Sequence, residues 1–249
     1  MTKPPRDQQA GLDGFENVEW DRENEQPILS GAEDTAPFNP LDTKNLAIAV
    51  IKALLQKRPR RLGELPPFQG AGIYAIYYSG AFATYRTIAA ENRERTNPRW
   101  PIYVGKATPP GGRKGGFDPV ATNNMALFSR LREHAKSVTD TSNLDITDFS
   151  CRFLVVQDLW IPLAEGLLIS HFAPIWNRFV DGFGNHTPGA GRFLGVRPRW
   201  DVLHPGRAWA ARCQPRAETE ADIHREVAAY LEGAAVPSLH ALGGDLSEE

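Results

Sequence analysis

Glu165 is a single carboxylate in an otherwise apolar segment, among Leu163, Ala164, Leu167, Leu168 and Ile169. A charge in that company is costly without a partner. A hard, oxygen-seeking cation such as Mg²⁺ is one natural partner, held by one carboxylate together with waters and phosphate. The positive end of a helix is another. Arg130 and His134 are four residues apart, which puts them on one helix face. The planar fork of Arg130 suits a phosphate, or a salt bridge to Glu133. His134 has an ordinary pKa of about 6.5, so it can accept a proton or orient a nearby hydroxyl. Tyr74 and Tyr103 become neighbours if the segments that carry them pair as strands. A free phenol has a pKa of about 10. A nearby cation would lower it and make Tyr74 a base toward water; the residue types equally allow Tyr74 to be a relay to His134. Phosphodiester hydrolysis needs what these groups offer: a proton taken from water, charge on the phosphate neutralised, and a stabilised leaving oxygen.

These side chains need elements to place them. Residues 72–78 (GIYAIYY) are β-branched and aromatic and read as a strand, and residues 101–105 (PIYVG) as a second. They form an antiparallel ribbon whose connection, 79–100, is a long polar insertion. Residues 124–138 read as a helix with Met125, Phe128, Leu131 and Ala135 inward. Residues 149–156 read as a strand. Residues 162–172 read as a short helix, opened by Pro162 and closed before Pro174. Upstream, 42–57 reads as an amphipathic helix with Ile48, Ile51, Leu54 and Leu55 on one side and Asp42 or Thr43 as its cap. The run KRPRR at 57–61 is a solvated loop or a phosphate contact. Residues 177–215 are rich in Gly, Pro and Arg, and 218–232 form a last helix. The order strand, strand, helix, strand, helix predicts an α+β core around a central antiparallel sheet.

The net charge of −2 hides an uneven distribution. Residues 1–44 carry 4 Lys/Arg against 10 Asp/Glu, residues 45–215 carry 22 against 12, and residues 216–249 carry 2 against 8. A basic middle between acidic ends suits a body that meets phosphates, or a solvated surface with acidic tails. No stretch approaches the roughly 20 apolar residues of a membrane span. MTKPPRDQQA has no apolar segment of the kind that opens a signal peptide. Cys151 and Cys213 form no CxxC pair and read as ordinary thiols, consistent with a reducing bacterial cytoplasm.

Gly72-Ile73-Tyr74 followed by Tyr103-Val104-Gly105 resembles the paired motif of the GIY-YIG nucleases. Arg130, Glu165 and, in PIWN, Asn177 follow in that family's order. The resemblance covers about residues 70–178. Within the family, the Arg-x-x-x-His pattern and the enlarged connection most resemble type II restriction endonucleases whose target is CCGCGG. Val104 stands where the family name has Ile, and the motifs lie further apart than usual. The implied organisation is an acidic arm (1–40), a helical extension (41–69), the nuclease core (70–178), an extension for DNA recognition or dimer formation with a terminal helix (179–232), and an acidic tail (233–249). The resemblance implies a catalytic set of Tyr74, Tyr103, Arg130, His134, Glu165 and Asn177, with one Mg²⁺ per active site on Glu165. Asn177 would fix Glu165 or a neighbouring loop, and Tyr103 would position phosphate or water. Lys106 is a further phosphate contact. Arg reads guanine through O6 and N7, so Arg192, Arg197, Arg199, Arg113 and Lys114 are candidates for DNA reading at a GC-rich palindrome. The implied partners are double-stranded DNA, a second copy of the chain, and a separately encoded methyltransferase. A repair or mobile-element nuclease of the same family, or a catalytically silent DNA-binding protein, are the alternatives.

Overall fold

Every residue of Gly72–Tyr78 is buried. A strand covered on both faces has to lie inside a sheet with a layer on each side. The computed structural model of the chain has that arrangement and describes residues 19–21, 26–28, 42–94, 96–109, 124–185 and 195–233. The chain divides into two units, Met1–Leu41 and Asp42–Glu249. In the first, β1 (Glu19–Asp21) and β2 (Gln26–Ile28) pair antiparallel with Trp20 opposite Pro27, where the sequence reads as an irregular arm.

The second unit contains α1 (Thr43–Leu55), β3 (Arg60–Arg61), β4 (Gly72–Tyr78), α2 (Arg86–Glu91), β5 (Pro101–Ala107), α3 (Ala126–Thr139), β6 (Phe149–Val155), α4 (Ile161–Phe172), α5 (Ile175–Arg178), α6 (Arg199–Leu203) and α7 (Glu220–Glu232). The strands form an antiparallel sheet in the order β3-β6-β4-β5, so the class is α+β and β5 is an edge. One face, with Ile73, Ala75, Tyr77 and Val104, packs on α1 through Ala47, Ile51 and Leu54 and on α4 through Ile161, Ala164, Leu168 and Phe172. The other face, with Tyr74, Ile76 and Tyr78, packs on Leu127, Leu131 and Val138 of α3 and on Trp176, Trp200 and Leu203. Each such aliphatic side chain contributes about 1.5–3 kcal/mol by leaving water. No described helix is long and apolar enough to cross a membrane.

Three local readings change. The buried stripe of α3 is Leu127, Leu131, His134 and Val138, with Phe128 beside it. Met125 is 41% exposed. The stripe follows helical spacing, but its polar member, His134, hides it from an apolar pattern. The connection 79–100 is a packed element rather than a polar excursion, with Tyr85, Ile88 and Trp100 buried. Asn92 pins it: its amide donates to the carbonyls of Tyr78 (3.0 Å) and Trp100 (2.7 Å) and accepts from the backbone of Arg99 and Trp100, both at 2.9 Å. Four bonds satisfy a fully buried amide. Trp200 and Leu203 of the Gly/Pro/Arg-rich stretch, with Ile223, Val227 and Leu231 of α7, belong to the same apolar cluster as Tyr74. The start of α7 carries a capping box between Thr219 and Asp222.

Burial has one consequence for acid stability. His204 is fully buried, with Nε2 2.8 Å from the Tyr85 hydroxyl and Nδ1 3.0 Å from Asn143 Oδ1. Desolvation, together with His224 and Arg207, pulls its pKa down to about 3. The unfolded chain protonates this histidine at about 6.5, so between the two values the unfolded state binds the extra proton. Stability therefore falls as pH drops from about 6.5 toward about 3, by up to about 1.4 kcal/mol per pH unit. Unfolding midpoints for the parent and His204→Asn across this window should converge at acid pH, the parent having the steeper fall. Parallel profiles would mean that His204 titrates freely in the folded protein.

Candidate active site

The antiparallel register sets Tyr74 opposite Gly105 and Ile76 opposite Tyr103. Tyr74 and Tyr103 thus project diagonally from one sheet face, with ring centroids 6.3 Å apart. The two motif glycines have different physical causes. A Cβ on Gly105 would strike the Tyr74 hydroxyl and lie 2.7 Å from its ζ carbon. A Cβ on Gly72, at φ 153°, would strike the Leu154 carbonyl oxygen of β6.

Facing these tyrosines, α3 delivers His134 and, one turn earlier, Arg130. His134 Nε2 lies 2.6 Å from the Tyr74 hydroxyl. Its ring stacks on Phe183 at 4.5 Å and 19°, which fixes the imidazole plane. Arg130 Nη2 donates to the Gly184 carbonyl at 2.6 Å, and Nη1 to Glu133 at 3.0 Å. The salt bridge that the sequence offers as an alternative is therefore present, and the same guanidinium also acts on both phenols. Burial pushes the Tyr74 phenol well above its ordinary pKa, and the charge and hydrogen bond of Arg130 only partly oppose it. Tyr103 is raised too, chiefly by burial. Arg130 acts on Tyr74 in the expected direction, but desolvation is the larger effect. Tyr74 keeps its proton unless His134 accepts it. Tyr74 also has no exposed surface, so a water reaches its hydroxyl only if one of the side chains around it yields.

Glu165 projects from α4, on the other side of the edge strand. Lys106, next to Gly105 on β5, brings Nζ within 2.6 Å of the Glu165 carboxylate. The two side chains are 40% and 20% exposed, so the pair faces solvent at the sheet edge. Glu165 is close enough to raise both tyrosines, which puts its charge in the same site. Asn177, at the end of the chain path from α4 into α5, bonds Val104 rather than Glu165. Its Oδ1 accepts from the Val104 amide and its Nδ2 donates to the Val104 carbonyl, both at 2.8 Å. A side-chain amide thus replaces a neighbouring strand on the open edge of β5. It holds the residue between Tyr103 and Gly105.

The DNA-reading candidates divide. Arg113, Lys114 and Arg192 lie outside the described residues. Arg197 donates to the carbonyls of Ala210 (3.0 Å) and Ala211 (3.3 Å). Arg199 pairs with Glu226 and with Glu218 at 3.5 Å, and lies over the Phe179 ring at 5.4 Å. Both are tied to the protein's own groups in the absence of DNA. Phe183 and Gly184, which touch His134 and Arg130, went unread in the sequence; the tetrapeptide DGFG carries no spacing signal that marks them.

A family model described as the Eco29kI GIY-YIG domain matches residues 66–231. A search of curated proteins finds no match to the chain.

Proposed function

The chain belongs to the Eco29kI GIY-YIG family of type II restriction endonucleases and is a nuclease acting on DNA, and from that premise we propose a site-specific, Mg²⁺-dependent enzyme cutting both strands of a GC-rich palindrome. CCGCGG is the proposed target. The observation that carries the reading is the Tyr74–His134 hydrogen bond of 2.6 Å, with Arg130 and Tyr103 around it and Glu165 at the sheet edge.

Glu165 would hold the ion. Its carboxylate is partly exposed and already has a cation, the Lys106 ammonium, at 2.6 Å. Among the described residues no group of three or more His, Cys, Asp or Glu converges on a metal position. One carboxylate oxygen set with room for water and phosphate fits Mg²⁺. When bound, the ion supplies positive charge opposite the phosphate.

The chain's own residues then divide the work. Unprotonated His134 accepts the Tyr74 proton, and the Tyr74 oxygen takes one from the attacking water. The water oxygen bonds to phosphorus, the bond to the leaving sugar oxygen breaks, and that oxygen takes a proton from solvent while His134 later returns to solvent the one it gained. Arg130 turns its fork to the phosphate oxygens, and Tyr103 positions the phosphate. Lys106, released from Glu165, contacts a phosphate. Asn177 keeps β5 in register so that Tyr103 and Gly105 stay where the phenols meet. A palindrome calls for two-fold symmetry, so the acting form is a homodimer. A cognate methyltransferase, encoded separately, protects the host DNA.

Digestion of long DNA of known sequence, with the fragment ends sequenced, tests the substrate. Ends should converge on one six-base-pair GC-rich palindrome, with both strands cut. Ends at an AT-rich or asymmetric sequence would refute the palindrome and leave the nuclease standing.

A further inference from the structure

Arg207 is 4% exposed, and every N–H of its guanidinium has an acceptor inside the protein. Nε donates to Asp201 Oδ1 at 2.6 Å and Nη2 to Asp201 Oδ2 at 2.5 Å. Nη2 also donates to the Gly182 carbonyl at 2.9 Å. Nη1 donates to those of Phe183 and Asn185, both at 3.2 Å. The guanidinium lies between Trp200 and Trp209, 4.4 and 4.7 Å from the ring centroids. No part of this group is available to DNA.

Its three carbonyl partners form one turn, 182–185, closed by the Asn185 amide on the Gly182 carbonyl at 3.0 Å. Gly182 adopts φ 107°, which only glycine takes without strain. This turn meets the active site twice. Phe183 stacks on His134 at 4.5 Å, and the Gly184 carbonyl accepts from Arg130 at 2.6 Å. A shift of the turn would therefore tilt the imidazole plane and move the phosphate clamp together.

We infer that Arg207, clamped by Asp201, is a positioning residue for the nuclease centre, acting through the 182–185 turn on Arg130 and His134. The inference rests on the roles proposed above for those two residues. A fork that bonds three carbonyls and one carboxylate together is a task lysine cannot copy, because its ammonium has three donors on a single atom. Misplacing a reacting group by about 1 Å is enough to cost about 10²-fold in rate.

The test uses the full chain and single-turnover cleavage of DNA that the parent cuts, with DNA affinity and thermal unfolding recorded alongside. Arg207→Lys should slow cleavage about ten-fold or more while affinity changes by less than about two-fold. In an Arg130→Lys background the same substitution should cost clearly less than it does in the parent, because one of the two residues it acts through is already displaced. Loosening of the fold alone would instead multiply the two losses, and that result would overturn the inference. So would Arg207→Lys cutting at the parent rate. Asp201→Asn, which keeps the shape and one acceptor, runs the same cycle should the lysine variant fail to fold; failure of both to fold would make the pair a stability element and overturn the inference as well. A parent that cuts while Arg130→Lys and His134→Ala cut as fast would refute the proposed roles themselves, a result separable from the behaviour of Arg207.

Discussion

Glu165→Gln should reduce DNA cleavage by about 10³-fold or more, since losing several kcal/mol of metal-borne charge stabilisation costs a factor of ten for each 1.36 kcal/mol. The amide keeps the length and shape of the side chain and removes the charge that would hold Mg²⁺. DNA affinity should stay within a few-fold of the parent, because Arg130, Lys106 and the rest of the basic surface are untouched. The fold should also survive. The Lys106–Glu165 pair is 40% and 20% exposed, and a solvent-facing pair is worth about 1 kcal/mol at most. Rapid cutting by this variant at ordinary Mg²⁺ would remove Glu165 from the metal site. Loss of folding, seen as a collapse of the unfolding midpoint, would make its role structural instead.

The second large effect is expected at the proton relay. Tyr74→Phe removes one hydroxyl and keeps a fully buried ring, so the sheet packing is preserved. If that hydroxyl takes the proton of the attacking water, the single-turnover rate should fall by about 10²-fold or more. His134→Ala should cost about as much, and the double variant should be little worse than either, because the two groups act as a unit. The geometry favours a relay over a tyrosinate base. Burial holds the Tyr74 proton on, and the acceptor 2.6 Å away is His134 Nε2. An imidazole nitrogen accepts only while it carries no proton, so the relay runs through unprotonated His134. The Phe variant removes the Tyr74–His134 hydrogen bond, a cost of about 1 kcal/mol in stability, so rates are to be compared below the unfolding transition. A Tyr74→Phe protein that cuts nearly as fast as the parent would make Tyr74 a packing residue.

What was legible beforehand follows from how local each signal is. β4 could be read from GIYAIYY because side-chain type alone marks a strand buried on both faces. α4 could be read because Pro162 and Pro174 bracket it. The pairing of Tyr74 with Tyr103 followed from the two motifs, but the meeting of Tyr74 with His134 needed the sheet and α3 in place. Burial then outweighed the lowering by the neighbouring Arg130 on Tyr74, and burial is not a property of a short sequence window. Asn177 was found, yet its partner was misjudged, because an amide that closes a strand edge resembles any other polar side chain in a turn. Asn92, Asp201 and Arg207 were invisible for the same reason. Each is a polar residue whose partners are supplied by the fold: backbone groups for Asn92, the Arg207 guanidinium for Asp201, and three carbonyls with the Asp201 carboxylate for Arg207. The internal partners of Arg197 and Arg199 were equally illegible, since charge density does not distinguish a base contact from an internal tie.

The most direct measurement is strand breakage in supercoiled plasmid DNA carrying CCGCGG, incubated with the purified full chain in Mg²⁺ and, in parallel, in excess EDTA. The expected result is linear DNA in Mg²⁺ and intact supercoils in EDTA, with Glu165→Gln leaving the plasmid supercoiled under both conditions. A parent that leaves the DNA intact in Mg²⁺, or cuts it equally in EDTA, would contradict a Mg²⁺-dependent nuclease centred on Tyr74, His134, Arg130 and Glu165.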